Sequence, residues 1–350
     1  MNKRALAMAA LLALAAPLGG CMTTNTELRA RDARLVAGRT FVVTGASSGF
    51  GRGVAERLGA MRANVVLAAR RTELLEEVAA RVRAAGGRAL VVTTDVSDPA
   101  AVDRLADAAA ARFGRVDVWI NNAGVGAIGR FEEIPVTDHA RVVDVNFKGV
   151  VYGSHAALRR FRAQGGGTLV NVGSVESRIP LAYHASYAAT KAAVLALGRA
   201  LNEELRLNGL RRTVKVATVL PWAADTEYWA NTANYSGRSP RMRPMDGPGE
   251  TVDAIIYASL HPREELAVGW KAKGALRSHA LFPDLTERIA GGIVHREQMK
   301  RGVPAVPTAG SLYDPNKAAR GVEGGARARM KQEDEARREV KRRRRERARN

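Results

Sequence analysis

Between residues 38 and 300 the sequence predicts a single α/β domain, a three-layer, doubly wound parallel sheet. Three observations predict it. Short apolar runs free of charge recur along the chain, as strands buried on both faces require. Helical segments of 12–20 residues separate them, long enough for right-handed crossovers that return each strand parallel to the last. The first run also ends in a glycine-rich turn that opens a helix.

The elements follow in order. Residues 39–44 form a first strand ending at Gly45, and a helix spans 49–62. The run 64–69 is too short for a helix and carries no charge, so it reads as a second strand. A helix over 72–85 stops at Gly86-Gly87, and 89–94 is a third strand. Asp98-Pro99 supplies an N-cap and a first-turn proline for a helix reaching residue 112. A fourth strand at 116–120, a long helix at 142–161 and a fifth strand at 168–172 follow, then a helix at 186–207 and a sixth strand at 214–220. Gly247-Pro248-Gly249 and His261-Pro262 bracket another helix, 265–268 is a seventh strand and 283–290 is helical. From Gly302 to residue 350 the composition turns Pro/Gly-spaced and then basic, which reads as a linker and a disordered, solvated tail.

Hydrophobic residues make up 46% of the 350, which excludes a disordered protein. The formal charge of +20 favours acidic partners such as phosphorylated cofactors, anionic lipid or nucleic acid. Residues 317–350 alone carry 14 basic and 6 acidic side chains, so much of that excess belongs to the tail. Cys21 is the sole cysteine and excludes an internal disulfide. It closes a segment (residues 1–21) made of a short basic start, a charge-free Ala/Leu-rich run and Leu18-Gly19-Gly20-Cys21, which resembles the cleavage and lipidation box of bacterial lipoproteins. Residues 22–37 would then be a polar tether, and the protein membrane-associated. The alternative is an apolar extension on a cytoplasmic protein.

The turn Thr44-Gly45-Ala46-Ser47-Ser48-Gly49-Phe50-Gly51 lets the backbone approach a pyrophosphate at the following helix N-terminus. Its G-x-x-x-G-x-G spacing differs from G-x-G-x-x-G, and its place in the first βα unit gives it weight. In such folds an acid after the second strand bonds the ribose 2′-hydroxyl, whereas arginine accommodates a 2′-phosphate. Here the strand ends in Ala68-Ala69 and continues Arg70-Arg71, which predicts NADP(H) over NAD(H).

In Ser186-Tyr187-Ala188-Ala189-Thr190-Lys191 the hydroxyl and the ammonium lie four apart on one helix face. A tyrosine with a pKa of about 10 is a poor base at neutral pH, and a nearby cation favours its ionised form. The glycine turn, Asn121-Asn122-Ala123-Gly124 after the fourth strand, Asn146, Ser174 and Tyr187-x-x-x-Lys191 together resemble the short-chain dehydrogenase/reductase family, over about residues 39–226. That resemblance implies a Rossmann-type oxidoreductase acting on a carbonyl or alcohol. It implies adenine contacts from Asp95 and Val96, Asn122 stiffening the central strands, and Pro221 and Thr226 at the nicotinamide end. Trp222 departs from the family's usual glycine. The implied mechanism has Lys191 bonding the nicotinamide ribose and lowering the tyrosine pKa, Ser174 holding the substrate oxygen, Tyr187 passing the proton and Asn146 positioning a water. Family members often form dimers or tetramers through the helices carrying Asn146 and Tyr187, so a homo-oligomer is expected.

Trp222, Tyr228, Trp229 and Tyr235 crowd the stretch where the family places a substrate lid. They either line a pocket for a lipophilic substrate or pack the lid onto the domain. No histidine or carboxylate cluster has metal-ligand spacing. A scaffold that has lost catalysis would lack Ser174, Tyr187 or Lys191, and a nucleic-acid-binding protein would not need them. Lys341-Arg342-Arg343-Arg344-Arg345 reads as solvated tail, with attraction to a membrane surface or nucleic acid the lesser reading.

Overall fold

The structure, a computed structural model, describes residues 26–316 and 318–347. The segment 1–21 with Cys21 lies outside the described residues, as do residues 22–25 of the expected tether. A short helix, α1 (Ala30–Val36), precedes β1 (Thr40–Thr44). The chain then alternates through α2 (Gly49–Ala60), β2 (Asn64–Ala69), α3 (Thr72–Ala84), β3 (Arg88–Thr93), α4 (Pro99–Phe113) and β4 (Val118–Asn121). After the two-residue β5 (Ala127–Ile128) come α5 (Val136–Val143), a π-turn at Asp144–Lys148 and α6 (Gly149–Gln164). The second half runs β6 (Gly167–Val172), α7 (Ala185–Leu207), β7 (Val214–Leu220), α8 (Tyr228–Asn231), β8 (Ala233–Asn234), α9 (Gly249–Leu260) and β9 (Glu265–Ala267). The helices α10 (Gly269–Leu281), α11 (Pro283–Arg296) and α12 (Ala326–Arg347) complete it.

The main sheet has the order β3-β2-β1-β4-β6-β7-β9, and every pairing is parallel. Alternation along each strand feeds two cores. Phe41, Val43, Val65 and Leu67 meet α2, α3 and α9 on one face, while Val42, Val66, Ala68 and Trp119 meet α4, α6 and the end of α7 on the other. Strands buried on both faces explain why the apolar runs were unbroken. Because β1 lies between β2 and β4, the strand order reverses there, and a crevice opens beyond the carboxyl ends of the two strands. The glycine turn after β1 and the Asn122 segment after β4 both face it.

Three readings of the sequence are corrected. The long helix expected at 142–161 is α5 and α6 joined by a π-turn, which carries Asn146 inward. A Cβ on Gly149 would lie 2.8 Å from Val96, so the glycine permits the close approach. Residues 30–36 of the supposed tether are helical, and Asp32 is buried against His261 (3.1 Å). Residues 301–316 and 318–347 are not a disordered tail: Leu312 is buried with Ala127, Ile134, Val142 and Ala233, and α12 packs on the domain through ion pairs to Arg241. Those contacts fall on an aperiodic stretch and a charge-rich helix, where hydrophobic patterning gives no signal. Among the described residues no helix is long and apolar enough to cross a membrane.

Candidate active site

Each part of the crevice is built by a local requirement. Thr44 accepts at Oγ1 from Asn122 N (2.9 Å) and Ala123 N (3.1 Å), tying the end of β1 to the segment after β4. The Asn122 side chain donates to Thr44 O (2.8 Å). A Cβ on Gly45 would fall 2.9 Å from Ala123 Cα, and one on Gly51 only 2.3 Å from Gly45 O, so the turn closes only with glycine at both places. Ser48 precedes α2, whose first residues Gly49 and Phe50 line the crevice.

Arg70 and Arg71 extend from the end of β2 to the rim of this turn. Arg71 donates to Ser47 Oγ (2.9 Å) and Ser48 Oγ (2.8 Å). Among the described residues neither arginine makes an ion pair; their other acceptors are backbone carbonyls of residues 311–319. Burial holds both guanidiniums below their usual pKa, and for Arg71 the adjacent Arg70 adds repulsion. Two half-desolvated cations without a carboxylate suit a dianion such as a 2′-phosphate. Asp95 is paired with Arg141 (2.7 Å) and, with Val96, lines the crevice below.

Ser174, Tyr187 and Lys191 converge farther along the same cavity, which has a volume of about 410 Å³. Burial and the charge of Glu176 push the Tyr187 hydroxyl well above its ordinary pKa, and a hydrogen bond with Ser174 acts in the opposite direction. The Lys191 ammonium lies 5.6 Å from the ring centroid and donates to Val172 O (2.8 Å). Asn146, fully buried, uses its side chain on the Val125 backbone, accepting from N and donating to O at 2.8 Å each. A Cβ on Gly124 would sit 3.5 Å from Asn146 Oδ1 and 3.7 Å from Lys191 Nζ, so Gly124 is the seam where these groups meet.

Burial brings the Lys191 pKa down from 10.5 to about 8, partly offset by Glu176. The folded value lies below the unfolded one, so between about pH 8 and 10.5 the unfolded chain binds more protons and stability rises with pH. Tyr187 contributes only above its ordinary value of 10, with opposite sign, because the unfolded tyrosine ionises first. Unfolding free energies by denaturant titration should therefore rise between pH 8 and 10 in the native protein. Relative to it, Lys191→Met should lose that rise; an unchanged slope would remove Lys191 as its source.

Pro221, Trp222 and Thr226 also line the cavity, and the Trp222 indole donates to Pro244 O (2.8 Å). Tyr228 and Trp229 also face the cavity, Tyr228 at 5.6 Å from Tyr187 between ring centroids. Tyr235 instead packs with Ala127 and Ile134 beyond the cavity. Sequence reasoning missed the Glu176–His184 pair (3.1 Å), buried beside Tyr187. It also missed the walls given by α10 and α11, including Ile289 and Ile293. A carboxylate just after Ser174 was the available signal for the first; the second had none.

Comparison with known proteins places this geometry. The family model described as short chain dehydrogenase matches residues 39–236. The chain is 34% identical over 279 residues to the uncharacterized oxidoreductase YxnA of Bacillus subtilis, covering 79% of this chain and 78% of the relative. It is 39% identical over 227 residues to 3beta-hydroxysteroid dehydrogenase 1 of Eggerthella lenta, covering 63% and 85%. Among solved structures it resembles an alcohol dehydrogenase of the archaeon Thermococcus sibiricus complexed with 5-hydroxy-NADP, with TM-score 0.56, 27% identity and coverage of 65% and 95%.

Proposed function

The chain belongs to the short-chain dehydrogenase family of oxidoreductases, and we propose that it is an NADP(H)-dependent member acting on a lipophilic alcohol or carbonyl, with Tyr187 as general acid/base. One observation carries the reading: Ser174, Tyr187 and Lys191 line the same cavity as the glycine turn and two arginines that lack carboxylate partners among the described residues. The family binds a nicotinamide cofactor, which when bound supplies or accepts the hydride.

The turn 44–51 would hold the pyrophosphate, Arg70 and Arg71 the 2′-phosphate, and Asp95, Val96 and the Asn122-Ala123-Gly124 segment the adenosine and central portions. Tyr187, Lys191, Pro221 and Thr226 would hold the nicotinamide end. Ser174 fixes the substrate oxygen, and Tyr187, kept protonated by its surroundings, donates the proton in reduction and recovers it in oxidation. Lys191 orients the ribose and favours transient ionisation of Tyr187. Asn146 holds Val125 and thereby the shape of the relay.

Apolar walls from Ile179, Leu181, Trp222, Met242, Ile289 and Ile293 support a bulky lipophilic substrate, as does the relative named for a 3beta-hydroxysteroid. A panel of lipophilic ketones and secondary alcohols, followed by nicotinamide absorbance with both cofactors, tests the reaction. Failure to transfer hydride with any member would overturn it.

Cofactor choice has its own test. Arg70→Ala and Arg71→Ala should each weaken NADPH binding about 10- to 100-fold and NADH binding much less, since a hydrogen bond to a charged group contributes about 1.5–3 kcal/mol. Equal losses for both nucleotides by calorimetry would mean that the arginines do not read the 2′-phosphate. A lipidated Cys21 and a membrane location remain our reading of the leader-like segment; intact mass of membrane-extracted protein tests it, and an unmodified soluble chain starting at Met1 would leave the cytoplasmic alternative.

A further inference from the structure

The segment 308–316 and 318–327 crosses the cofactor crevice from its adenosine end to its nicotinamide end. At the first end Arg70 donates to Leu312 O (3.1 Å) and Tyr313 O (2.7 Å), and Arg71 to Asn316 O and Ala319 O (2.6 Å each). Midway, Gly49 N, an amide at the start of the phosphate-binding helix, donates to Gly321 O (2.9 Å). At the far end Gly324 lies so close to Thr226 that a Cβ would stand 2.2 Å from Thr226 O.

Both ends of the segment are anchored away from the crevice. The Leu312 side chain is buried in its own apolar cluster. Asp225 accepts from Ala326 N (2.7 Å) and Arg327 N (3.1 Å), fixing the start of α12. The segment roofs the space and does not fill it, because Ser311, Pro315 and Asn316 are walls of the same 410 Å³ cavity as Tyr187.

We propose that this segment is a clasp that keeps NADP(H) bound from one turnover to the next, so that the bound nucleotide is reloaded by a second alcohol or carbonyl entering the same pocket. The proposal rests on the cofactor reading above. A nucleotide lying under a roof pinned along its whole length leaves only when the roof opens. Arg70 and Arg71 hold the clasp by its carbonyls at the rim of the 2′-phosphate site, so nucleotide binding and the position of the clasp are linked through the same two side chains. Trp222, Ile289 and Ile293 line the cavity from elements other than the clasp, and substrate would enter on their side.

The chemistry then closes between two substrates. A carbonyl compound takes up the hydride and the Tyr187 proton and leaves as an alcohol, with Tyr187 left ionised. A second alcohol then gives up its C–H hydrogen as hydride and its O–H proton to the ionised Tyr187 and leaves as a carbonyl compound. Atoms and electrons balance with no net change in the retained nucleotide.

The test uses the full chain and NADPH itself. Protein loaded with NADPH is gel-filtered, and release is followed by nucleotide fluorescence after chasing with excess NADP⁺. In the native protein NADPH should stay bound through filtration and leave more slowly than the enzyme turns over. Leu312→Asp, which puts a charge into the anchoring cluster, should speed release about a hundredfold. Gly324→Ala should also speed it by lifting the clasp off Thr226, and it keeps the test open if Leu312→Asp fails to fold. With a C-deuterated alcohol and an acceptor ketone from the panel, deuterium should reach the ketone undiluted by added free NADPH. Fast native exchange, matching the variants, would overturn the clasp while leaving the cofactor reading intact, as would tighter NADPH binding in the variants. Absence of NADPH binding in all three proteins would overturn the cofactor reading and the clasp with it.

Discussion

Replacing Tyr187 by Phe should lower turnover by about 10²–10⁴-fold while NADPH binds as before, because it deletes the one transferable proton and keeps the ring. The ring is held by contacts that survive the change: Tyr228 at 5.6 Å, His184 edge-on at 6.4 Å and the Lys191 ammonium at 5.6 Å, all to the ring centroid. Burial and Glu176 hold the hydroxyl protonated well above neutral pH, so in the direction of carbonyl reduction it enters the reaction as an acid. The alternative donors nearby do not replace it. Ser174 carries only a weakly acidic alkyl hydroxyl, and the Lys191 ammonium is drawn toward Val172 O (2.8 Å). Single-turnover rates and nucleotide binding on the same preparation separate chemistry from affinity. Near-native turnover on an identified substrate would remove Tyr187 from the proton path.

The parts of this molecule that were legible in the sequence are those with a local period. β1 and β2 are charge-free because both faces are buried, and Asp98-Pro99 does cap and open α4, its carboxylate accepting from Ala100 N. Tyr187 and Lys191 were legible because the α7 spacing places them on one face. The glycines at 45 and 51 were legible because close backbone approach admits nothing larger. What stayed hidden depends on distance along the chain. The carbonyls that accept from Arg70 and Arg71 lie more than 240 residues away, and every residue type offers a carbonyl, so no side-chain pattern announces them. Glu176 and His184 meet across a loop at a spacing with no helical or strand meaning. The break of the expected long helix at Asn146 is likewise set by what the side chain reaches, the Val125 backbone.

The C-terminal helix α12 should prove essential to the fold through one buried cation. Arg241 is 0% exposed, and its guanidinium meets Glu333 and Asp334 (2.8 Å) of α12, with Glu297 Oε2 3.5 Å from Nε. Glu297 is itself 1% exposed and also faces Arg301 (3.0 Å) and Arg296 (3.6 Å). Arg241→Leu fills much of the volume and removes the one cation shared by Glu297, Glu333 and Asp334, leaving Glu333 with Arg329 (2.8 Å) and Asp334 with Arg243 (3.0 Å) and Arg337 (3.3 Å). Removing one member of a buried charged cluster costs about 3–5 kcal/mol, far more than an exposed pair contributes. The variant should therefore unfold at markedly lower denaturant concentration than the native chain. Adding Glu333→Gln and Asp334→Asn should recover only part of the loss, because Arg329, Arg243 and Arg337 still pair with those carboxylates while buried Glu297 stays without Arg241. Since α12 continues directly from the clasp, Arg241→Leu should also release bound NADPH faster at denaturant concentrations where the domain is still folded. A variant with native stability would mean that α12 rests on the domain without holding it, and that the clasp is anchored at Leu312 and Asp225 alone.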